Sequence, residues 1–392
     1  MIDILQEVKR IEPDIISWRR DLHQIPELAL ELPNTVKYIK EKLDEMGIEY
    51  KTLVNGNAIV GIIEGGQEGK TIALRADMDA LPIKEETNLP FASSNGCMHA
   101  CGHDAHAAML LGTAKILNEN KENLNGNVKL FFQPGEEYPG GALPMIEEGA
   151  MDNVDAVIGL HAGSIFKDVE KGKIAVSYGP MMASMDRIFI KIKGKGSHAA
   201  YPELSIDPIS TAAEVISALQ RVISREIKAI DPAVLSITRI NGGFNQNIIP
   251  DEVELEGTVR TVNNETRQLI ARRIEEITKG ITAAMRADYE VQYDFKYPPL
   301  INSEEFTNFF VNSAKKIIDE KDIFEMKYPV MGGEDMAYFL EKAPGTFFFL
   351  SNPNEIDGVI YPHHNSKFDV DESLFYKGTA LFIQTVFDYL SE

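Results

Sequence analysis

The stretch M-H-A-C-G-H-D-A-H-A, residues 98–107, holds His99, Cys101, His103, Asp104 and His106 within eight consecutive positions. Cys101 and His103 flank Gly102. That spacing suits two donor atoms on one tight turn, with a glycine to let the backbone come close to an ion. Three of the chain's eight histidines and both of its cysteines lie between Cys97 and His106. A buried turn whose histidines bond one another would account for a lone C-x-H. The crowding of thiol, imidazole and carboxylate points instead to a metal site. The residues that follow, Ala107–Leu117, read as a helix.

Outward from this turn, apolar runs of strand length lead into polar clusters. Thr71–Arg75 runs into R-A-D-M-D-A-L-P (75–82) and brings Asp77 and Asp79 to a strand end. Val128–Phe132 runs into Q-P-G-E-E (133–137) and delivers Glu136 and Glu137; Ala156–Leu160 delivers His161. Ala58–Ile63 is another strand, and Ile2–Ile25, Thr35–Met46 and Ala142–Glu148 are helices. Strands alternating with helices predict an α/β fold with a mainly parallel sheet covered on both faces. Ligand sites in such sheets lie beyond the carboxyl ends of the strands, so the three clusters are read as one site. An extended backbone would send Glu136 and Glu137 to opposite sides, one toward metal and one toward substrate. Asp77 and Asp79 would share a side, where one could orient a ligand histidine. Of the adjacent His363 and His364, at most one would face the same ion.

Near Ala183 the pattern changes. Arg187–Ile192, a helix Asp207–Arg225, Ala233–Arg239, Val253–Thr261, a helix Glu265–Met285 and Tyr289–Phe295 follow one another. That is the βαββαβ order of a ferredoxin-like domain. It predicts an inserted domain over 183–296, with 1–182 and 297–392 forming one discontinuous domain. The return adds a helix Glu304–Asp319, G-G-E-D (332–335), a strand Thr346–Leu350 and a helix Leu374–Leu390. Within the insert, G-K-G-S-H-A-A-Y-P (194–202) sets His198 in a glycine-rich loop; Asn247 and Arg260 are further possible donors.

The 392 residues exceed one ordinary core, so about two domains are expected. A net charge of −21 argues against nucleic acid or an anionic membrane as partner. No apolar run approaches the roughly 20 residues that span a bilayer. The opening M-I-D-I-L-Q-E-V-K-R reads as an acidic amphipathic helix rather than a signal peptide. Two cysteines four apart build no disulfide framework, which predicts a reducing cytoplasm; Cys97 reads as a small buried side chain.

Taken together, these segments strongly resemble the M20 metallopeptidase clan, and within it the aminoacylase, hippurate hydrolase and auxin-conjugate hydrolase subgroup. The resemblance rests on R-R-D-L-H-Q-I-P-E-L (19–28), R-A-D-M-D-A-L-P, M-H-A-C-G-H-D-A-H, Q-P-G-E-E, G-L-H (159–161), G-S-H-A-A-Y-P (196–202), N-I-I-P-D (247–251), G-T-V-R-T (257–261), G-G-E-D and H-N-S-K-F (364–368). It implies a di-metal hydrolase domain with a ferredoxin-like lid that often forms a homodimer interface. Carried over by position, the metal ligands would be Cys101, His103, Glu137, His161 and His364, and Glu136 the general base. Asp79 would support a ligand histidine, although Asp77 stands where related peptidases carry histidine. His198 would meet the scissile carbonyl, with Asn247 and Arg260 binding substrate. Ser366 and Gly135 depart from the usual proline and alanine.

The chemistry expected is hydrolysis of an N-acyl amino acid by two divalent ions about 3.5–4 Å apart that acidify a shared water, whose proton Glu136 takes. Zinc, cobalt and nickel suit a thiolate, and the resemblance keeps manganese. Dipeptide cleavage at the same site is the nearest alternative. A non-catalytic metal-binding scaffold is another, against which the intact Glu136 counts.

Overall fold

In the computed structural model, residues 2–164 and 168–391 are described, and the chain divides into two compact units. One comprises Met1–Gly179, Asn302–Lys327 and Asp335–Glu392; the other comprises Pro180–Ile301 and Tyr328–Glu334.

The first unit is built on an eight-stranded sheet. Its strands lie in the order Glu49–Leu53, Ala58–Glu64, Asn125–Gln133, Gln67–Asp77, Ala156–Gly163, Gly345–Ser351, Ile174–Val176, Ile323–Glu325. The four from Asn125–Gln133 to Gly345–Ser351 run parallel. Ala156–Gly163 and Gly345–Ser351 are buried at every residue, as expected where helices cover both faces. The first two strands form an antiparallel margin. At the other margin Ile174–Val176 runs antiparallel to Gly345–Ser351. Glu49–Leu53 and the two three-residue strands carry too few apolar residues to stand out in the sequence.

Helices Ile4–His23, His103–Glu119 and Phe375–Tyr389 pack together on this sheet. The middle one starts at His103, four residues before the predicted Ala107. Fourteen of its seventeen residues are buried, so it lacks the one-sided apolar stripe that marks a surface helix. Gly102, at φ 91°, forms its N-cap. The predicted helix Glu304–Asp319 ends earlier, at Ala314. No helix among the described residues is long and apolar enough to cross a membrane.

The second unit carries a four-stranded antiparallel sheet in the order Ala233–Gly242, Glu252–Thr261, Asp186–Lys193, Asp288–Phe295. Helices Pro208–Arg225 and Asn264–Ala284 are capped by Asp207 and Asn263. They bury Val215, Leu219, Ile270 and Ile274 against Ile188, Ile190 and Leu255. The strip Tyr328–Glu334, which the sequence reading placed in the other domain, groups here because Ala183 N donates to the carbonyls of Val330 and Gly332, and Val330 N to Met181.

Candidate metal centre and active site

The parallel strands end on polar residues: Asp77, Gln133, and His161 two residues before the end of its strand. The Gly102 turn sets Cys101 before the helix and His103 at its first residue. Donor atoms of Cys101, His103 and His161 lie within 4.8 Å of one another. So do those of Cys101, Glu137 and His364, and those of His103, Glu136 and Glu137. The five expected ligands and the expected base thus come together from four chain segments.

The two glutamates do not diverge. The strand stops at Gln133, and Glu136 and Glu137 lie in a turn entered through Gly135 at φ 68°. Strand alternation therefore does not act on them, and both carboxylates face the His103 region. Asp79 holds this turn: its Oδ1 accepts from Glu136 N and its Oδ2 from Glu137 N, each at 3.0 Å.

Backbone partners settle how each ring presents its nitrogens. His103 Nδ1 faces the Asp79 carbonyl at 2.9 Å, and His161 Nδ1 faces the Ala162 carbonyl at 2.9 Å. A carbonyl only accepts, so both rings carry a proton on Nδ1 and turn Nε2 toward the site. His103 Nε2 is buried with no hydrogen-bond partner among the described residues. His161 Nε2 stands 3.4 Å from Cys101 Sγ. Two ligands on one tetrahedral zinc-like ion, with bonds of about 2.3 Å to sulfur and 2.05 Å to nitrogen, would stand roughly 3.6 Å apart. The residues therefore fit a cation: a thiol, imidazole nitrogens and a carboxylate converge, and the buried His103 Nε2 among them has no hydrogen-bond partner among the described residues, with Asp77 Oδ2 3.6 Å away.

His106 is spent elsewhere. Its Nε2 accepts from Ala162 N at 2.8 Å and its Nδ1 donates to Asp77 Oδ1 at 2.6 Å. It ties the His103 helix to the strand end that carries His161. His364 Nε2 stands 3.0 Å from Glu137 Oε1, on a backbone at φ 64°.

The electrostatics follow from burial and crowding. Burial, then the carboxylates of Glu137, Glu136 and Asp77, push the Cys101 thiol well above its ordinary range. Burial works against a charge on His103, yet Asp77 and Asp79 outweigh it and push the ring up to about 10. Asp77 is held well below the usual carboxylate range despite its burial, by His103 and Arg75. Burial pushes His363 down to about 3.

Beneath the site lie two buried charge networks that the sequence reading did not identify. Arg75 bonds Asp77 Oδ2 at 2.9 Å, Gln133 Oε1 at 2.9 Å and Asp335 Oδ1 at 3.0 Å. Asp335 Oδ2 also accepts from Gly141 N and Ala142 N, at the start of a short helix. Arg19 reaches Asp104, Asp369 and Glu372, and His23 bridges Asp104 and Glu85. Arg19, His23, Arg75, Asp77, Asp104, Gln133 and Asp335 sit in quoted motifs, but their partners lie up to 353 positions away.

In the second unit, His198 ends a two-residue strand paired with Ile248–Ile249, and Asn247 lies in the turn just before that partner: Ala199 N donates to Asn247 O at 2.9 Å. His198 Nδ1 accepts from Ala200 N at 3.0 Å, so its proton sits on Nε2. Arg260 lies on the central strand Glu252–Thr261 and lines a cavity of about 420 Å³ with Arg187, Thr238 and Thr258.

Residues 73–388 match peptidase family M20/M25/M40. The chain is 44% identical over 306 residues to the N-acyl-L-amino acid amidohydrolase of Geobacillus stearothermophilus, covering 76% of this chain and 82% of that one. It is 42% identical over 377 residues to thermostable carboxypeptidase 1 of Saccharolobus solfataricus, covering 95% and 94%. Among solved structures, the YXEP protein of Bacillus subtilis, a dinuclear metal-binding peptidase from the M20 family, superposes with a TM-score of 0.84 at 36% identity over 98% of this chain and 99% of that one.

Proposed function

From the premise that the chain belongs to peptidase family M20/M25/M40, we propose that it is a metal-dependent amidohydrolase that releases a carboxylate and a free amino acid from N-acyl amino acids. The observation that carries this reading is the Asp79 clamp, which brings Glu136 and Glu137 side by side against His103.

Cys101, His103, Glu137, His161 and His364 would hold two divalent cations (zinc, manganese, cobalt or nickel), whose charge acidifies water and polarises an amide carbonyl. Glu136 takes the proton of the attacking water and returns it to the leaving nitrogen. Asp79 is a positioning residue, acting through the two amides and the ring it fixes. His198 offers its Nε2 proton to the carbonyl oxygen as negative charge grows there. Asn247 and Arg260 bind the polar groups of the amino-acid part. The second unit serves as lid and as the contact of a cytoplasmic homodimer.

A panel of acetyl, benzoyl and indoleacetyl amino acids beside dipeptides, each with manganese, zinc, cobalt and nickel added singly, tests the substrate class. Faster cleavage of the acyl amino acids is expected. Dipeptides cleaved at higher kcat/KM throughout would reverse the assignment in favour of the peptidase reading, to which the carboxypeptidase relative lends weight.

For His198→Ala the expected outcome is unchanged metal content with kcat lowered about 10²–10³-fold, the worth of one oxyanion donor elsewhere. An unaltered kcat would leave the loop a structural role only.

A further inference from the structure

Of the two adjacent histidines at the end of the chain, His364 faces Glu137. His363 turns the other way, and nothing so far gives it work. Its Nε2 lies 3.0 Å from Ser164 N. A backbone N–H can only donate, so Nε2 must hold its lone pair there, and the ring's proton must sit on Nδ1. Nδ1 lies 3.6 Å from Cys101 Sγ. The reverse tautomer would set two N–H groups head-on at 3.0 Å, so Nδ1 has no lone pair to give a cation.

We propose that His363 donates its Nδ1–H to the sulfur of Cys101 and so sets how strongly that thiolate binds the cation. The inference rests on the reading of Cys101 as a ligand.

The fold builds the place for this ring. Its ring centroid lies 4.5 Å from that of Phe368, tilted by 40°, and 5.1 Å from that of His161, edge to face at 69°. Gly163 leaves the room: a Cβ there would come within 2.3 Å of His363 Nε2, at a backbone φ of 129° that also disfavours a side chain. The strand end 161–164 thus uses its two flanking amides to orient two histidines that are not ligands. Ala162 N holds His106, and Ser164 N holds His363. Hydrogen bonds to a ligating sulfur lower the energy of its lone pairs, and they also favour the thiolate over the thiol, so that losing such an outer partner lowers metal affinity.

The test is the near-ultraviolet sulfur-to-cobalt absorption of the full-length protein loaded with Co²⁺, read beside metal per chain. His363→Phe removes the donor. His363→Gln can still meet Ser164 N but reaches past the sulfur. His363→Asn sets an amide N–H near the position of Nδ1. The band is expected to move to longer wavelength in the Phe and Gln variants and to return toward the wild-type position in the Asn variant. Cobalt per chain should stay unchanged, and its affinity should fall about 10–100-fold in Phe and Gln. A band that coincides in all four proteins would overturn the donor role. So would the loss of one cobalt per chain in every variant, since His363 would then be a ligand. If wild-type protein binds cobalt and shows no such band, the ligation by Cys101 fails first and the proposal falls with it. Should the Phe variant not fold, the Gln and Asn pair still decides the question.

Discussion

Glu136→Gln is expected to keep its full complement of cations and to lose turnover by about 10²–10⁴-fold, the usual contribution of a general base. The substitution preserves size, and the backbone amide of residue 136 stays on Asp79 Oδ1. Glutamine keeps hydrogen bonding at this position but cannot take the proton. Glu137→Gln should behave differently, because it removes charge from the carboxylate that stands 3.0 Å from His364 Nε2. Metal occupancy should fall first and activity with it, and excess metal should recover part of the loss. Metal stoichiometry and kcat at rising metal concentration separate the two. A Glu136→Gln protein that loses its metal while Glu137→Gln keeps it would exchange the roles.

Removing the metal should abolish activity, and its return should depend on pH with a definite sign. In the metal-free protein His103 is pushed up to about 10 and the Cys101 thiol well above its ordinary range. Both therefore carry protons at pH 7. A cation binds the neutral imidazole and the thiolate, so its uptake expels those protons. Affinity should rise with pH between 6 and 9, by about tenfold per unit for each proton expelled. Titrations in buffers of different ionisation enthalpy count them. Full activity in protein proven metal-free by elemental analysis would end the mechanism, and an affinity flat in pH would end the proton account.

The sequence carried the site's inventory better than its geometry. Cys101 and His103 stood out because ligand types crowd one short motif, and the Glu136/Glu137 pair because an apolar strand leads into it; which glutamate would ligate came from the family resemblance alone. Alternation misled at Glu136 and Glu137, since Pro134 and Gly135 end the strand before the pair is reached. Arg75 was invisible as a linchpin: within I-A-L-R-A-D a buried arginine looks like any other, and its partner Asp335 lies 260 residues on. Asp79 read as a partner for a histidine, and its Oδ1 does stand 3.3 Å from His103 Nδ1; its carboxylate also holds two backbone amides, an interaction that no side-chain pattern records. The parallel core strands were legible as apolar runs. At the margins Ala58–Glu64 was legible in the same way, but Glu49–Leu53 and the two three-residue strands were not, because short edge strands owe their conformation to neighbours supplied by the fold.

The strand Gly345–Ser351 lies beside Ala156–Gly163, which bears His161. On the ribosome, the earlier strand emerges 182 residues before its neighbour. At ordinary elongation speeds that is roughly 10–40 s. Through that interval a strand that is apolar but for His161 waits with one edge unpaired, a template for other nascent chains. The second unit's sheet and both its helices emerge meanwhile as one uninterrupted stretch, Asp186 to Phe295. The catalytic sheet closes only once Gly345–Ser351, within the carboxyl-terminal fifth of the chain, has been made. Premature termination before Gly345 should therefore yield aggregates rather than a weakened enzyme, and slow synthesis should burden chaperones at that one edge.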